Sequence, residues 1–172
     1  MEKITNFLNQ INERVGRATA WLTTILMLLV CFNVAARYLF NNSIAWRTEL
    51  EWHLFALIFL LGAGYALKHD KHVRVDLFYA KFSKKQQALV NFIGTLVFLL
   101  PWCSLIIFAS YKYAYSSWMI NEGSPDNGLP ARYLIKSAIT IGFVLLFLQA
   151  ISILLQSVSI LLGKQLPPGD TS

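Results

Sequence analysis

The sequence predicts an all-α integral membrane protein of four transmembrane helices preceded by an interfacial amphipathic helix, and three observations predict it. Hydrophobic residues make up 56% of the 172 positions and charged ones 14%, a balance too apolar for an ordinary soluble domain. The apolar residues gather into four runs, each near the ~20 residues that a helix needs to cross hydrocarbon. Lys and Arg stand at the ends of those runs, so the net charge of +6 reads as topology and contact with anionic lipid. No soluble basic face remains for nucleic acid. Cys31 and Cys103 each sit inside an apolar run, where a thiol behaves as a small hydrophobe, and their spacing fits neither a metal nor a redox pair.

Residues 46–76 show the pattern most completely, with acids, an apolar run and bases in succession. Thr48 and Glu51 fit a capping box, which places a helix start near Glu49. Nothing is charged from Leu54 to Leu67, and Lys68, Lys71 and Arg74 then close the span as bases do at a cytoplasmic face. His53, one turn inside, is expected to be a buried, hydrogen-bonded side chain. Gly62 and Ala66 form a small-xxx-small pair of the kind that lets helix backbones approach.

Before this span, residues 2–17 place Ile4, Phe7, Leu8, Ile11 and Val15 at helical spacing, with Lys3, Asn9, Gln10, Glu13 and Arg14 mostly elsewhere on the wheel. That pattern predicts a helix lying in the headgroup plane, followed by a turn at Gly16. No small-residue cleavage pattern follows the first apolar run, so the N-terminus is expected to be retained. Span one covers about 18–38, with Trp21 and Tyr38 near opposite interfaces. Arg37 at its end either snorkels to the interface or pairs with Glu49 or Glu51 across the short connection.

Beyond the second span, at about 49–67, Asp76 is placed to cap a short helix carrying Leu77, Phe78 and Phe82, and Ser83 with Gln86 offers a second capping box. His69 and His72 have a spacing that permits a metal, but the surrounding lysines repel a cation and no further His or Cys is near. Span three, about 88–111, carries no charge, and Pro101 should kink it. Tyr111, Tyr113, Tyr115 and Trp118, with Trp46, Trp52 and Tyr133, fit one outer aromatic belt. Residues 121–132 are rich in turn formers and predict an external loop. Span four, about 137–162, carries Gly142, Gln149, Gln156 and Gly163 at intervals of seven, with Ser152 and Ser159 alongside. Lipid offers an amide no partner, so this stripe should meet another helix, within the chain or on a partner. The tail 166–172 is expected to fray.

Four spans put both termini on one side, and charge selects which. An inside placement gives that side Lys3, Arg14, Arg17, Lys68, Lys71, Arg74, Lys81, Lys84, Lys85 and Lys164, leaving only Arg37, Arg47, Lys112, Arg132 and Lys136 outside. The asymmetry favours N-in, C-in.

The chain has no Gly-rich phosphate loop, no nucleophile elbow, no combined Cys and His metal spacing and no carboxylate deep in a span. Enzyme chemistry and a resident cofactor are therefore not expected. A self-sufficient transporter would show paired repeats and midplane charges, and a haem subunit would need histidines on facing spans. What remains is an accessory or scaffold subunit. The runner-up is a four-helix membrane anchor of a respiratory complex, which would use His53 as a haem ligand.

Several short motifs together resemble one family. They are A-R-Y at residues 36–38, W-R-T-E-L at 46–50, L-G-A-G at 61–64, H-V-R-V-D at 72–76, E-G-S-P-D at 122–126 and L-P-A-R-Y at 129–133. In this order around four spans they resemble the small membrane subunit, the DctQ type, of tripartite ATP-independent periplasmic (TRAP) transporters. Residues 124–130 read S-P-D-N-G-L-P where that family often reads S-P-D-P-G-G-L-P, a departure in the outer loop. The resemblance implies a multi-pass protein of the bacterial inner membrane with no cofactor. Its partners would be a large membrane subunit, a periplasmic binding protein that delivers an organic acid anion, and lipid. A sodium or proton gradient would drive uptake through the large subunit. The candidate contacts with that subunit are Arg37, Trp46, Glu49, Glu51, Gly62, Ala66, Gln149 and Gln156. Glu122, Ser124, Asp126 and Arg132 form the candidate docking loop, and His72, Arg74 and Asp76 a cytoplasmic motif.

Overall fold

The computed structural model describes residues 2–69, 82–125 and 128–163. His72, Arg74, Asp76 and Asp126, the expected short helix at Leu77 and Phe78, and the tail lie outside the described residues. The elements are α1 (Glu2–Phe40), α2 (Ala45–Lys68), α3 (Lys84–Gly94), a π-helical turn (Thr95–Leu99), α4 (Leu100–Met119) and α5 (Tyr133–Leu161), with no strand among the described residues. Four helical stretches are long and apolar enough to cross a membrane: Lys3–Phe40, Ala45–Lys68, Lys84–Met119 and Tyr133–Leu161.

Side-chain contacts fix how these helices run. Asn33 meets Glu51 and Glu13 meets Lys68, so α1 and α2 are antiparallel. The backbone of Leu60 lies against Gly142 and that of Leu145 against Gly64, so α2 and α5 are parallel. Ser110 and Thr140 share a hydrogen bond of 2.9 Å across the antiparallel α4 and α5. The connections 41–44 and 120–132 therefore lie at one end of the bundle, the hairpin end, and the described termini at the other. Every other helix packs on α5, which makes it the central element.

Local chemistry sets the helix ends. Asn41 and Asn121 take left-handed φ values of 49° and 46°, a conformation that Asn adopts more readily than most residues. Past Asn121, the Glu122 N–H closes onto the Ser117 carbonyl at 3.1 Å. The Ser83 and Gln86 capping box forms with both of its bonds. The box expected at Thr48 does not, because α2 begins one turn earlier behind Ile44 and Glu51 is taken by Asn33. At Pro101, which lacks an N–H, the helix widens into the π turn at Thr95–Leu99, and α4 starts with the proline in its first turn.

The N-terminal segment corrects the sequence reading. There is no turn at Gly16: α1 is unbroken for 39 residues, about 58 Å at 1.5 Å per residue. Gly16 sits so close to the Tyr65 ring that a Cβ would overlap it. The polar face of this segment points inward. Thr5, Asn9, Asn12 and Thr19 are buried while Ile4 and Phe7 are exposed. Asn12 and Gln149, each 1% exposed, join side chain to side chain at 3.1 Å, and Gln149 also donates to Asn9 at 3.1 Å. Ser152 Oγ donates to the same Asn9 oxygen at 2.7 Å. Asn12 Oδ1 has no conventional donor and faces Gly64, whose missing side chain leaves it room. A C–H of Gly64 is the only weak donor this approach supplies. The seven-residue stripe of α5 is thus spent inside the chain through Gly142, Gln149 and Ser152. Beside it, Leu67, Cys103 and Leu146 form the apolar core, flanked by Ala63, Leu99, Phe143 and Phe147.

Gln149→Leu would strip partners from Asn9 and Asn12 in a buried site, where an orphaned polar group costs ~1–3 kcal/mol. The half-buried Gln156→Leu should cost much less. Thermal unfolding of both variants in detergent, followed by circular dichroism, is the measurement. Equal midpoints for the two variants would contradict the assignment of Gln149 to the polar core.

Candidate functional site

The charged residues of the hairpin end are held by their own chain. Glu49 lies in the second turn of α2 and is only 7% exposed. Its two oxygens accept from Ser124 Oγ and from the Leu129 N–H, each at 2.5 Å. Gly128 passes so close that any side chain there would overlap the carboxylate. The loop after α4 is in this way strapped over the start of α2. One turn on, His53 Nδ1 meets the Glu49 carbonyl at 2.6 Å and its ring lies 4.1 Å from that of Trp52.

A second clasp closes the base of the same loop. Glu122 accepts from Lys136 Nζ and from Ser117 Oγ at 2.6 Å, with the Arg132 guanidinium at 3.9 Å. The Arg132 N–H also bonds the Glu122 carbonyl at 2.9 Å. Between the clasps Ala131 takes a φ of 62°, a left-handed conformation costly for a residue with a Cβ. Lys136 Nζ lies 4.0 Å from the centroid of the Tyr113 ring, within cation–π range.

A third group joins α1 to α2. Asn33, which is buried, donates to Glu51 at 2.8 Å. Arg37 is exposed and pairs with neither Glu49, whose two oxygens are engaged by the loop, nor Glu51, which accepts from Asn33, so the possible ion pair at the helix ends does not form. Arg47 instead lies over Phe32 and Trp46, at 5.2 and 5.7 Å from their centroids. Its Nε and Nη1 are buried without a hydrogen-bond acceptor. At the termini end, Glu13 gathers Lys68 at 2.6 Å and His69 and Arg17 at 3.0 Å each.

The candidate residues therefore divide. Glu49, Glu122, Ser124 and Arg132 come together in the strapped loop, and Glu51 lies on the neighbouring turn of α2. Trp46 and Arg37 remain exposed, Gly62 faces open space, and Ala66 and Gln156 are half-buried. Gln149 is not available to a partner, because it is 1% exposed and bonded to Asn9 and Asn12 inside the bundle. His69 Nε2 lies 3.0 Å from a Glu13 carboxylate oxygen, and no group of three or more metal-ligand side chains exists among the described residues.

Sequence reasoning missed Asn9, Asn12, Glu13, Asn33, Ser117 and Lys136. A signal existed for the first of these. Thr5, Asn9, Asn12, Gly16 and Thr19 recur every three or four residues, a polar and small stripe like that of α5. Nothing in the sequence spacing pairs Ser117 or Lys136 with Glu122, because the fold of the loop creates that meeting.

Hydrogen bonds from Lys136 and then Ser117 hold the Glu122 carboxyl below the ordinary carboxylate range. A depressed folded pKa gives stability that is full above the unfolded value of ~4.3 and lost as pH falls through the folded value. The loop should therefore stay closed from neutrality to about pH 5 and open only under stronger acid. A fluorophore on Gly123→Cys, in a chain without Cys31 and Cys103, would report this. Glu122→Gln should remove the Glu122 share of the acid transition and leave that of the Glu49 strap, whereas opening between pH 7 and about pH 5 in the unaltered loop would contradict the assignment.

With four apolar helices, a strapped loop and internally paired carboxylates in view, comparisons with known proteins are specific. Residues 26–159 match the family described as tripartite ATP-independent periplasmic transporters, DctQ component. A putative TRAP transporter small permease protein of Haemophilus influenzae is 32% identical over 130 residues, covering 76% of this chain and 77% of the relative. The C4-dicarboxylate TRAP transporter small permease protein DctQ of Vibrio cholerae is 28% identical, covering 86% of this chain and 75% of the relative. The sialic acid TRAP transporter small permease protein SiaQ of the same organism is 25% identical, covering 75% and 79%. The chain thus belongs to the DctQ-component family of TRAP transporters, as a small permease subunit that is a membrane transport component and not an enzyme.

Proposed function

We propose that this subunit is a static brace for the large membrane subunit of a TRAP transporter. The observation that carries the reading is that the carboxylates of Glu13, Glu49, Glu51 and Glu122 are each committed to groups of this chain. A transport pathway needs ionisable groups that face a cavity and change partners. Here such groups act as staples. The buried amide cluster ties α1 to α5 and the strapped loop ties α4 and α5 to α2, a build suited to holding position while a partner moves.

One feature supports an outward role for the flank. Gly62 opens onto space on one face of α2, where a neighbouring helix has room to approach closely. The hairpin end faces the periplasm in this reading, on the charge asymmetry of the sequence, and offers Trp46 and the strapped loop to a substrate-binding protein. The inner membrane is the matching location. The named cargoes of the relatives, C4-dicarboxylate and sialic acid, both carry carboxylates, which supports an organic acid anion as the cargo of the whole assembly. An ion gradient working through the large subunit is the matching energy source.

Reconstitution tests the brace. Vesicles with all three components should take up substrate under a sodium or proton gradient, those lacking this chain should not, and this chain alone should move nothing. The soluble binding protein should keep its affinity throughout. Flux through this chain alone, or full uptake without it, would overturn the proposal.

A further inference from the structure

The hairpin half of the bundle is open on one side. α2 and α4 both pack on α5 but make no extensive contact with each other, which leaves a groove of about 510 Å³ over the outer half of the central helix. Phe55, Ala56, Phe59 and Leu60 form one wall, and Ile135 and Ile139 lie along α5. Polar groups occur only toward the hairpin end, where Trp52, Tyr113, Arg132 and Lys136 border the groove. The apolar wall and the cationic rim thus follow one another along the helix axis, in the order of an acyl chain and its headgroup.

We propose that this groove binds one phospholipid of the hairpin-side leaflet, with its acyl chain against Phe55, Phe59, Ile135 and Ile139 and its phosphate at Arg132 and Lys136. Among the described residues Arg132 and Lys136 are the charged side chains lining the groove, so its own charge complements a phosphate. Both are held in place from behind. Lys136 is fixed by Glu122 and lies over Tyr113, and Arg132 is anchored by its backbone bond to Glu122. The Arg132 guanidinium stands 3.9 Å from Glu122, beyond a hydrogen bond, so its planar N–H donors are available to phosphate oxygens. Trp52 and Tyr113 stand at the same level, as amphipathic rings do at the boundary of hydrocarbon and headgroup. The volume lies within the ~300–1,000 Å³ of small-molecule sites. The inference concerns a lipid site of this chain and does not depend on its role as a brace.

Native mass spectrometry of the delipidated full chain in mild detergent tests it, with dioleoyl phosphatidylglycerol as one probe and dioleoylglycerol, which lacks the phosphate, as the other. One phosphatidylglycerol should bind saturably and the diacylglycerol should bind far more weakly. Joint substitution Arg132→Gln and Lys136→Gln should weaken phosphatidylglycerol binding by roughly tenfold or more, the loss expected for charged hydrogen bonds. Those changes also disturb the Glu122 clasp, so Ile139→Trp provides a second variant that fills the groove and leaves the charges in place. It should weaken binding as well. Equal binding of the two probes, or unchanged binding in the Ile139→Trp chain, would overturn the proposal. So would a photo-cross-linker at Phe59 that captures the large subunit rather than lipid in native membranes.

Discussion

Hydrocarbon gives an amide or a carboxylate nothing to bond to, and this constraint orders the structure from one end to the other. Asn9, Asn12, Gln149 and Ser152 solve it by bonding to one another between α1 and α5. The geometry then requires close helices, which Gly64 and Gly142 permit where a side chain would collide with Asn12 or with the Leu60 backbone. Individual hydrogen bonds of this kind are modest in membranes, about 0.6 kcal/mol on average. Their joint effect on specificity is larger, since turning α1 about its axis would expose several amides to lipid together.

The hairpin end obeys the same constraint with charges. Two carboxylates on different elements, Glu49 and Glu122, pull one loop down at two points, and the loop bridges α4 and α5 to α2. The left-handed Ala131 is accommodated where both sides are tied. The termini end is closed by Glu13 with Lys68, His69 and Arg17. The bundle is consequently pinned at the hairpin end and again toward the termini, which suits a member of a transport complex that supplies position rather than passage.

The four spans were legible because apolar runs, terminal bases and aromatic belts are local properties of sequence. The Ser83 capping box and the bonded state of His53 were legible for the same reason. The direction of the N-terminal polar face was not. Amphipathicity alone does not say whether the polar side meets water or other helices, and the reading chose water for residues whose Asn9 and Asn12 turn inward. The Thr48 box failed because Asn33, eighteen positions from Glu51, competes for that carboxylate. Gln149 was correctly read as needing a partner, while its choice between chain and complex depended on α1.

The direction of the N-terminal face is also where the account is most exposed. Asn9→Cys with Ser152→Cys, in a chain lacking Cys31 and Cys103, places two thiols where a 2.7 Å hydrogen bond joins α1 to α5. Mild oxidation in native membranes should form an intramolecular disulfide readily, detected by mass spectrometry, while Gln10→Cys with Ser152→Cys should not. A helix that turned at Gly16 and lay along the membrane surface would carry Asn9 away from Ser152. Failure of the first pair to bridge, or equal bridging by the second, would contradict the buried polar core on which the rest of this structure depends.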